Sequence, residues 1–451
     1  MAHRRRASRE SLPYSIKNKL ALFARGIMRR RIGLFVTITL MIFGIGLAGM
    51  LLYREKLRAA ADMPNDKVVI QFPTDFDIAQ KQGMLSEAQT QAWELSQVET
   101  AQTDTDTDID RALYEEAVSL GQKAFVAECA DKEQVTFAFA GDILFDESYT
   151  IMYQYVARNG SVEDTFLSGL SERMRAADVF MLNNEFPFSE RGTPTEGKQF
   201  TFRANPKHVA VLEEMGVDLV SLANNHAYDY GNDALLDTFD ALDSAEIPYV
   251  GAGRNLDEAM QPVYIIANGM KFAVVSATQI ERNGNPDTKE ATATSAGVLR
   301  CLDPSALLRV IEEAKENSDF VILYIHWGTE SQEEIDWLQQ DQSAVYAKAG
   351  VDLIIGDHPH CLQKIDVVEG VPVVYSLGNF WFNSKAQNSC LIEATFDREG
   401  VARMQFLPCR HENCRTRLLT GEEADGVLDY MRGISPNVYI DGNGYIDWNR
   451  S

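Results

Sequence analysis

Val135-Thr136-Phe137-Ala138-Phe139-Ala140-Gly141-Asp142 is the stretch from which the fold reads outward. Six residues of strand-forming text run into a glycine and then a carboxylate. The same grammar recurs four times downstream. Val179–Leu182 runs into Asn183-Asn184-Glu185, and Val217–Leu222 into Ala223-Asn224-Asn225-His226. Phe320–Ile325 runs into His326-Trp327-Gly328, and Val351–Ile355 into Gly356-Asp357-His358-Pro359-His360. Helical text lies between them, at 164–176, 206–215, 231–245, 303–317 and 332–349. Asn268-Gly269 and Glu369-Gly370 read as tight turns of hairpins. Strands alternating with helices indicate an α/β body.

Ligand sites in α/β sheets form where the carboxyl ends of several strands converge. Asp142, Glu185, Asn225, His226, His326, His358 and His360 all stand at such ends, and they include four of the seven histidines. The spacing of His358 and His360 puts both side chains on one side of an extended backbone, where they could meet a metal pair. Asp142 and Glu185 offer anionic oxygen that can bridge cations, Asn225 a neutral carbonyl, and His226 a proton donor. Imidazole with carboxylate and amide oxygen suits Zn, Mn or Fe rather than a thiolate-seeking metal. Two such ions polarise a substrate and generate hydroxide near neutral pH. A single Gly-Asp is ordinarily a turn, and a single Asn-Asn-His a capped loop. Recurrence after five strands carries the argument.

The 451 residues hold 42 Lys and Arg against 66 Asp and Glu, a net charge of −24. Residues 1–58 carry 13 basic and 2 acidic side chains, which leaves 29 against 64 for the rest. A body this acidic has no extended cationic surface for a phosphate backbone, so nucleic-acid binding is excluded as a main role. Ile32–Tyr53 is a 22-residue run without charge behind Arg29-Arg30-Arg31. It is long enough to cross a bilayer. The local excess of basic residues before it favours a cytoplasmic N-terminus and an external body. The expected organisation is therefore a basic cytoplasmic tail (1–31), a transmembrane signal anchor (32–53), an acidic stalk (54–133), a catalytic body (134–408) and a C-terminal extension (409–451). Helical text near 112–126 is placed in the stalk. The six cysteines permit disulfides outside the cell, with Cys409 and Cys414 close enough to close a small loop.

With these residues identified, the chain resembles the CapA-type family of poly-γ-glutamate capsule proteins, within the calcineurin-like metallophosphoesterases. The resemblance spans about 134–408. It is carried by Gly141-Asp142, Asn183-x-Glu185-x-Pro187, Phe202-Arg203-Ala204-Asn205-Pro206 and Leu222-Ala-Asn-Asn-His-Ala-Tyr-Asp-Tyr-Gly231. Further matches are Gly251-Ala-Gly253, His326-Trp327-Gly328-x-Glu330, Gly356-x-His-Pro-His360 and Tyr375-Ser-Leu-Gly-Asn-Phe380. It implies a four-layer α/β/β/α sandwich with two divalent metal ions between strand ends. Asp142 and His360 would hold one ion, Asn225, His326 and His358 the other, with Glu185 bridging. His226 would be the proton donor, Asp229 its orienter, and Lys198 and Arg203 contacts to an anionic substrate. The chain departs from the superfamily pattern at Leu144, where a histidine is usual, at Glu185, where an aspartate usually bridges, and at Asn184. Asp146 is a possible compensation for the first.

The resulting expectation is a membrane-anchored, metal-dependent hydrolase or transferase acting outside the cell on an anionic envelope polymer, poly-γ-glutamate being favoured. Membrane subunits of a polymer synthase are possible partners. Two alternatives stand beside it: a non-catalytic export or tethering component, and a phosphoesterase on a small or lipid-linked phosphate.

Overall fold

The computed structural model describes residues 108–280 and 289–449. The expected cytoplasmic tail, the Ile32–Tyr53 span and nearly all of the stalk lie outside the described residues. Among the described residues, no helix is long and apolar enough to cross a membrane.

Two sheets form the body. One has seven strands in the order Lys123–Val126, Val263–Ala267, Met270–Thr278, Phe320–His326, Leu353–Asp357, Val371–Val374, Ile365–Val368. The other has eleven strands, and its central run is Gln387–Asp397, Val135–Ile143, Val179–Asn184, Leu219–Ser221, Tyr249–Val250. The period-two alternation of each strand explains how the layers stack. Val135, Phe137 and Phe139 face the core between the sheets, while Ala138 and Ala140 face outward. Phe320, Ile322 and Tyr324 enter the same inter-sheet core from the other side, and Val321, Leu323 and Ile325 face away. Helices close both outer faces. Thr150–Ala157, Leu170–Ala176, Val209–Met215 and Asn232–Ser244 cover the eleven-stranded sheet; Ser305–Glu316 and Trp337–Ala349 cover the other. The molecule is thus an α/β sandwich with helices outside two facing sheets.

Both expected hairpins turn with positive φ at two successive residues, Asn268 and Gly269 (54° and 68°) and Glu369 and Gly370 (52° and 86°), as type I′ turns require. The helix expected at 332–349 begins later, at Trp337, where Asp336 and Gln339 form a capping box. The helix expected at 164–176 is broken. Phe166–Leu167 is extended and pairs with Arg415–Leu418, and Phe166 stacks on Phe380 at 5.4 Å. Packing of that ring overrides the helical text around it.

Two segments expected outside the body lie within it. Lys123–Val126 pairs with Val263–Ala267 at the edge of the seven-stranded sheet, although helix was expected to run through 126. A helix over 108–119 precedes it, and Asp110 accepts hydrogen bonds from the Asn268 and Gly269 amides at 3.1 and 2.6 Å. At the other end, Gly400–Glu412 runs across the expected boundary at 408 as one strand paired with Gln387–Asp397. The helix Gly421–Ile434 buries Val427, Leu428 and Met431 in the inter-sheet core. Lys123–Val126 is only partly buried, with Phe125 and Ala124 packed against different cores, and the helix buries one narrow face, so neither shows the apolar block that marks a central strand. All six cysteines are unpaired: the Cys409 thiol faces the Leu407 carbonyl inside the core, and Cys414 faces Thr150.

Asp218 tests the packing away from the strand ends that carry function. Burial pushes its carboxyl from 3.8 up to about 6, although the Phe180 amide donates to it at 2.8 Å. A raised carboxyl favours the protonated folded chain, so its ionisation costs stability as pH climbs from the unfolded toward the folded value. Asp218→Asn retains an oxygen for Phe180 and removes the charge. The variant is expected to exceed wild type by about 1–3 kcal/mol at neutral pH, with the gap closing near pH 4; denaturant unfolding at the two pH values checks this.

Candidate metal centre

Parallel pairing brings the carboxyl ends of the strands to one edge of the sandwich. Asp142 lies opposite Asn183 in register, and His326 opposite Asp357. Gly141 permits the next step: a Cβ there would stand 1.9 Å from the Gly378 carbonyl oxygen, so only glycine lets Asn379 pair beside Asp142. The His358-Pro359-His360 turn is not extended, as the spacing had suggested. His358 and His360 have φ of 94° and 57°, in the left-handed region that is costly for side chains with a Cβ and concentrates at functional sites. The twist sends the two rings to different clusters.

In the first cluster, Nε2 of His326 lies 2.9 Å from Asn225 Oδ1, 3.1 Å from His358 Nδ1 and 3.6 Å from Glu185 Oε1. In the second, Nδ1 of His360 lies 3.1 Å from Asp142 Oδ2 and 2.8 Å from Asn379 Oδ1. Glu185 belongs to both: one ligand atom each from Glu185, His326 and His358, and one each from Asp142, Glu185 and His360, come within 4.8 Å of one another. Among the described residues, neither oxygen of the fully buried Glu185 has a hydrogen-bond partner. A carboxylate without donors, ringed by imidazole nitrogens and a second carboxylate, is a poor arrangement for a protein alone. It fits a divalent cation, and the nitrogen and oxygen donors with no thiolate suit a borderline or hard metal.

The electrostatics point the same way. Burial, followed by the charges of Asp142 and Asp357, pushes the Glu185 carboxyl well above its ordinary range. Burial lowers His326 to about 3. Burial and then the neighbouring His326 and His360 push His358 well below 6.5. Both rings are therefore neutral, the state that binds metal. Burial opposes the charge on His360, but the hydrogen bond and charge of Asp142 outweigh it and raise the ring. Burial likewise works against ionised Asp142, and His360 more than offsets it.

Beside the clusters, Asp229 Oδ2 takes Nδ1 of His226 at 2.6 Å and the Phe202 amide at 2.7 Å. Nε2 of His226 is 3.9 Å from Glu185 Oε1, and the ring lies against Phe202 at 4.2 Å. A cavity of about 490 Å³ opens over this edge, lined by Asn225, His226, His358, His360, Phe382 and Lys385 among others.

The structure thus brings together Asp142, Glu185, Asn225, His226, Asp229, His326, His358 and His360. The two expected substrate cations are placed differently. Lys198 lines the cavity, but its side chain is buried and engaged, 2.5 Å from Asp229 Oδ1 and 2.6 Å from the Asn225 carbonyl. Arg203 is not among the cavity-lining residues; its guanidinium lies 4.2 Å over Tyr230 and donates to the Arg191 carbonyl. Asp146 does not compensate for Leu144. Its carboxylate caps Ser148 and accepts from the Arg203 amide. Three residues escaped the sequence reading: Asn183, which donates to Asp142 at 2.8 Å, Asp357, 2.9 Å from His326 Nδ1, and Asn379. Asn183, next to last in its strand, and Asp357, last in its own, each stand in register with a nominated residue, a signal available once the pairing is known.

Glu185→Gln tests the fit directly. At 100-fold excess over Kd, a bound ion stabilises a fold by about 2.7 kcal/mol. Wild-type protein is expected to gain that much from manganese or zinc, and the variant to gain little, in thermal unfolding with and without the ion.

Residues 136–384, more than half of the chain, match the family model for bacterial capsule synthesis protein PGA_cap. A PGA biosynthesis protein CapA of Bacillus subtilis (strain 168) is 30% identical over 278 residues, covering 60% of this chain and 70% of that protein. A capsule biosynthesis protein CapA of Bacillus anthracis is 30% identical over 288 residues, covering 62% and 68%. A probable polyglutamine synthesis accessory protein of Mycobacterium tuberculosis (strain CDC 1551 / Oshkosh) is 27% identical over 215 residues, covering 45% and 55%. By the extent of the model match and of the Bacillus subtilis alignment, the chain belongs to the bacterial capsule synthesis family PGA_cap.

Proposed function

We propose that the protein is a metal-dependent hydrolase or transferase of envelope polymer, acting on amide bonds of poly-γ-glutamate, on a metallophosphoesterase-like fold. The observation that supports catalysis is the pairing of His226 with Asp229 at the cavity wall beside the Glu185 cluster. A structural metal site has no use for a buried imidazole held in one orientation and facing a cavity. The relatives' names, for PGA, capsule and polyglutamine synthesis, support poly-γ-glutamate as the polymer. The apolar Ile32–Tyr53 run supports a membrane-anchored body outside the cell.

Two divalent ions at Asp142–His360 and at Asn225–His326–His358, sharing Glu185, would supply Lewis acidity and lower the pKa of water toward neutrality. The rest of the chemistry belongs to side chains. Asp229 holds the proton on Nδ1 of His226, so Nε2 is the exchanging atom. Burial lowers the His226 pKa, and Asp229 opposes the shift only in part, so the ring is neutral and accepts a proton first. As water or an amine adds to the substrate carbonyl carbon, its proton passes to Nε2. The same proton leaves Nε2 for the amide nitrogen as the C–N bond breaks. Lys198 fixes Asp229 and the Asn225 backbone together, so proton donor and ligand keep one geometry.

An acidic body repels an acidic polymer at long range, but at physiological salt that repulsion is screened beyond about 8–10 Å. Close to the site two bound ions would oppose that repulsion, together with the exposed Lys385 and against Glu330 on the same cavity wall. A second reading, a component that holds polymer without cutting it, is favoured by Leu144, an apolar cavity-lining residue where the superfamily usually has a histidine.

His226→Ala separates the two. In a catalyst it is expected to lower cleavage or transfer of metal-loaded protein about 10²–10⁴-fold while leaving metal content per chain unchanged. Amine release from γ-linked polyglutamate, beside elemental analysis of the same preparations, reads both quantities. Equal processing by variant and wild type contradicts the catalytic role.

A further inference from the structure

We propose that Asp357 is a positioning carboxylate that keeps the proton of His326 on Nδ1, so that Nε2 presents its lone pair to the cluster of Glu185, Asn225 and His358. The inference rests on the metal reading above. A neutral imidazole carries one proton, and the other nitrogen is its only possible ligand atom. His326 is fully buried, so protein groups alone decide which nitrogen that is.

On the Nδ1 side stand Asp357 Oδ1 at 2.9 Å and the Asn183 amide nitrogen at 3.3 Å. On the Nε2 side stand Asn225 Oδ1 at 2.9 Å, His358 Nδ1 at 3.1 Å and Glu185 Oε1 at 3.6 Å. A proton on Nε2 would satisfy Asn225, but it would take from the cluster the one nitrogen of the ring that faces it. A proton on Nδ1 is received by Asp357 Oδ1 at 2.9 Å, the shortest contact on that side. It also leaves Nε2 facing the oxygen and nitrogen donors from which a cation is built.

Asn183 does not need His326 as an acceptor. Its Oδ1 takes the Asn224 side chain at 2.9 Å, which fixes the amide, and its nitrogen donates to Asp142 at 2.8 Å. Sheet register prepares the bond from the backbone: His326 and Asp357 are direct neighbours on parallel strands. The assignment also decides between overlapping ligand sets. Asp142, His326 and Asp357 could converge on a cation behind the ring, but only through Nδ1. A proton there closes that site and opens the one at Nε2. Carboxylates behind metal-binding imidazoles act this way generally, and losing one costs about 10–100-fold in metal affinity.

The test is a cobalt(II) titration of the full-length protein, wild type beside Asp357→Ala and the isosteric Asp357→Asn, followed by absorbance and by bound ions per chain at saturation. Positioning predicts weaker binding by about 10–100-fold in both variants, with the saturated spectrum and the ion count unchanged. Unchanged affinity in the variants overturns the inference alone. A lost ion or an altered saturated spectrum also overturns it, because Asp357 would then be a ligand itself. If wild type takes up no cobalt, the metal reading falls and this inference falls with it.

Discussion

A single buried carboxylate sets the terms for this molecule. Glu185 is fully buried, with no donor to either oxygen among the described residues, beside Asp142 and among three histidines. Desolvating an unpaired carboxylate costs several kcal/mol, and a fold gains nothing from such a group unless something positive stands against it. The surroundings are consistent with that demand. The imidazoles of His326 and His358 are kept neutral by burial, and the one ring that favours its charge, His360, is already paired with Asp142. The backbone yields to the same demand at His358 and His360, both held at positive φ.

The fold was legible where periodicity was strong. Val135–Ile143 and Phe320–His326 alternate between two cores, and strands buried on both faces read as continuous apolar text. It was illegible where an element is only partly buried, as in Lys123–Val126, where it buries one narrow face, as in Gly421–Ile434, or where one ring decides the matter, as with Phe166 on Phe380. The site was legible for a different reason. Ligand-type residues at the ends of parallel strands need no pairing detail to be suspected, because every such end reaches one edge of the sheet.

What the sequence could not supply was how each group is engaged. Lys198 and Arg203 have the right charge for an anionic substrate, yet one is buried against Asp229 and the other stacked on Tyr230. Charge type is written in the chain, whereas whether a charge is free depends on tertiary neighbours. The same holds for Asp357 and Asn183, ordinary polar residues until sheet register sets them behind His326 and Asp142. The turn at His358-Pro359-His360 misled for a further reason: two residues apart implies one face only in extended backbone, and this segment is not extended.

The proposal that Glu185 stands between cations held by the strand ends is open to diffraction from crystals soaked in manganese, collected at the metal's anomalous edge. Two anomalous peaks are expected to flank Glu185, one against Asp142 and His360, the other against Asn225, His326 and His358. No peak at this edge of the sandwich, or a peak against Nδ1 of His326, would contradict it.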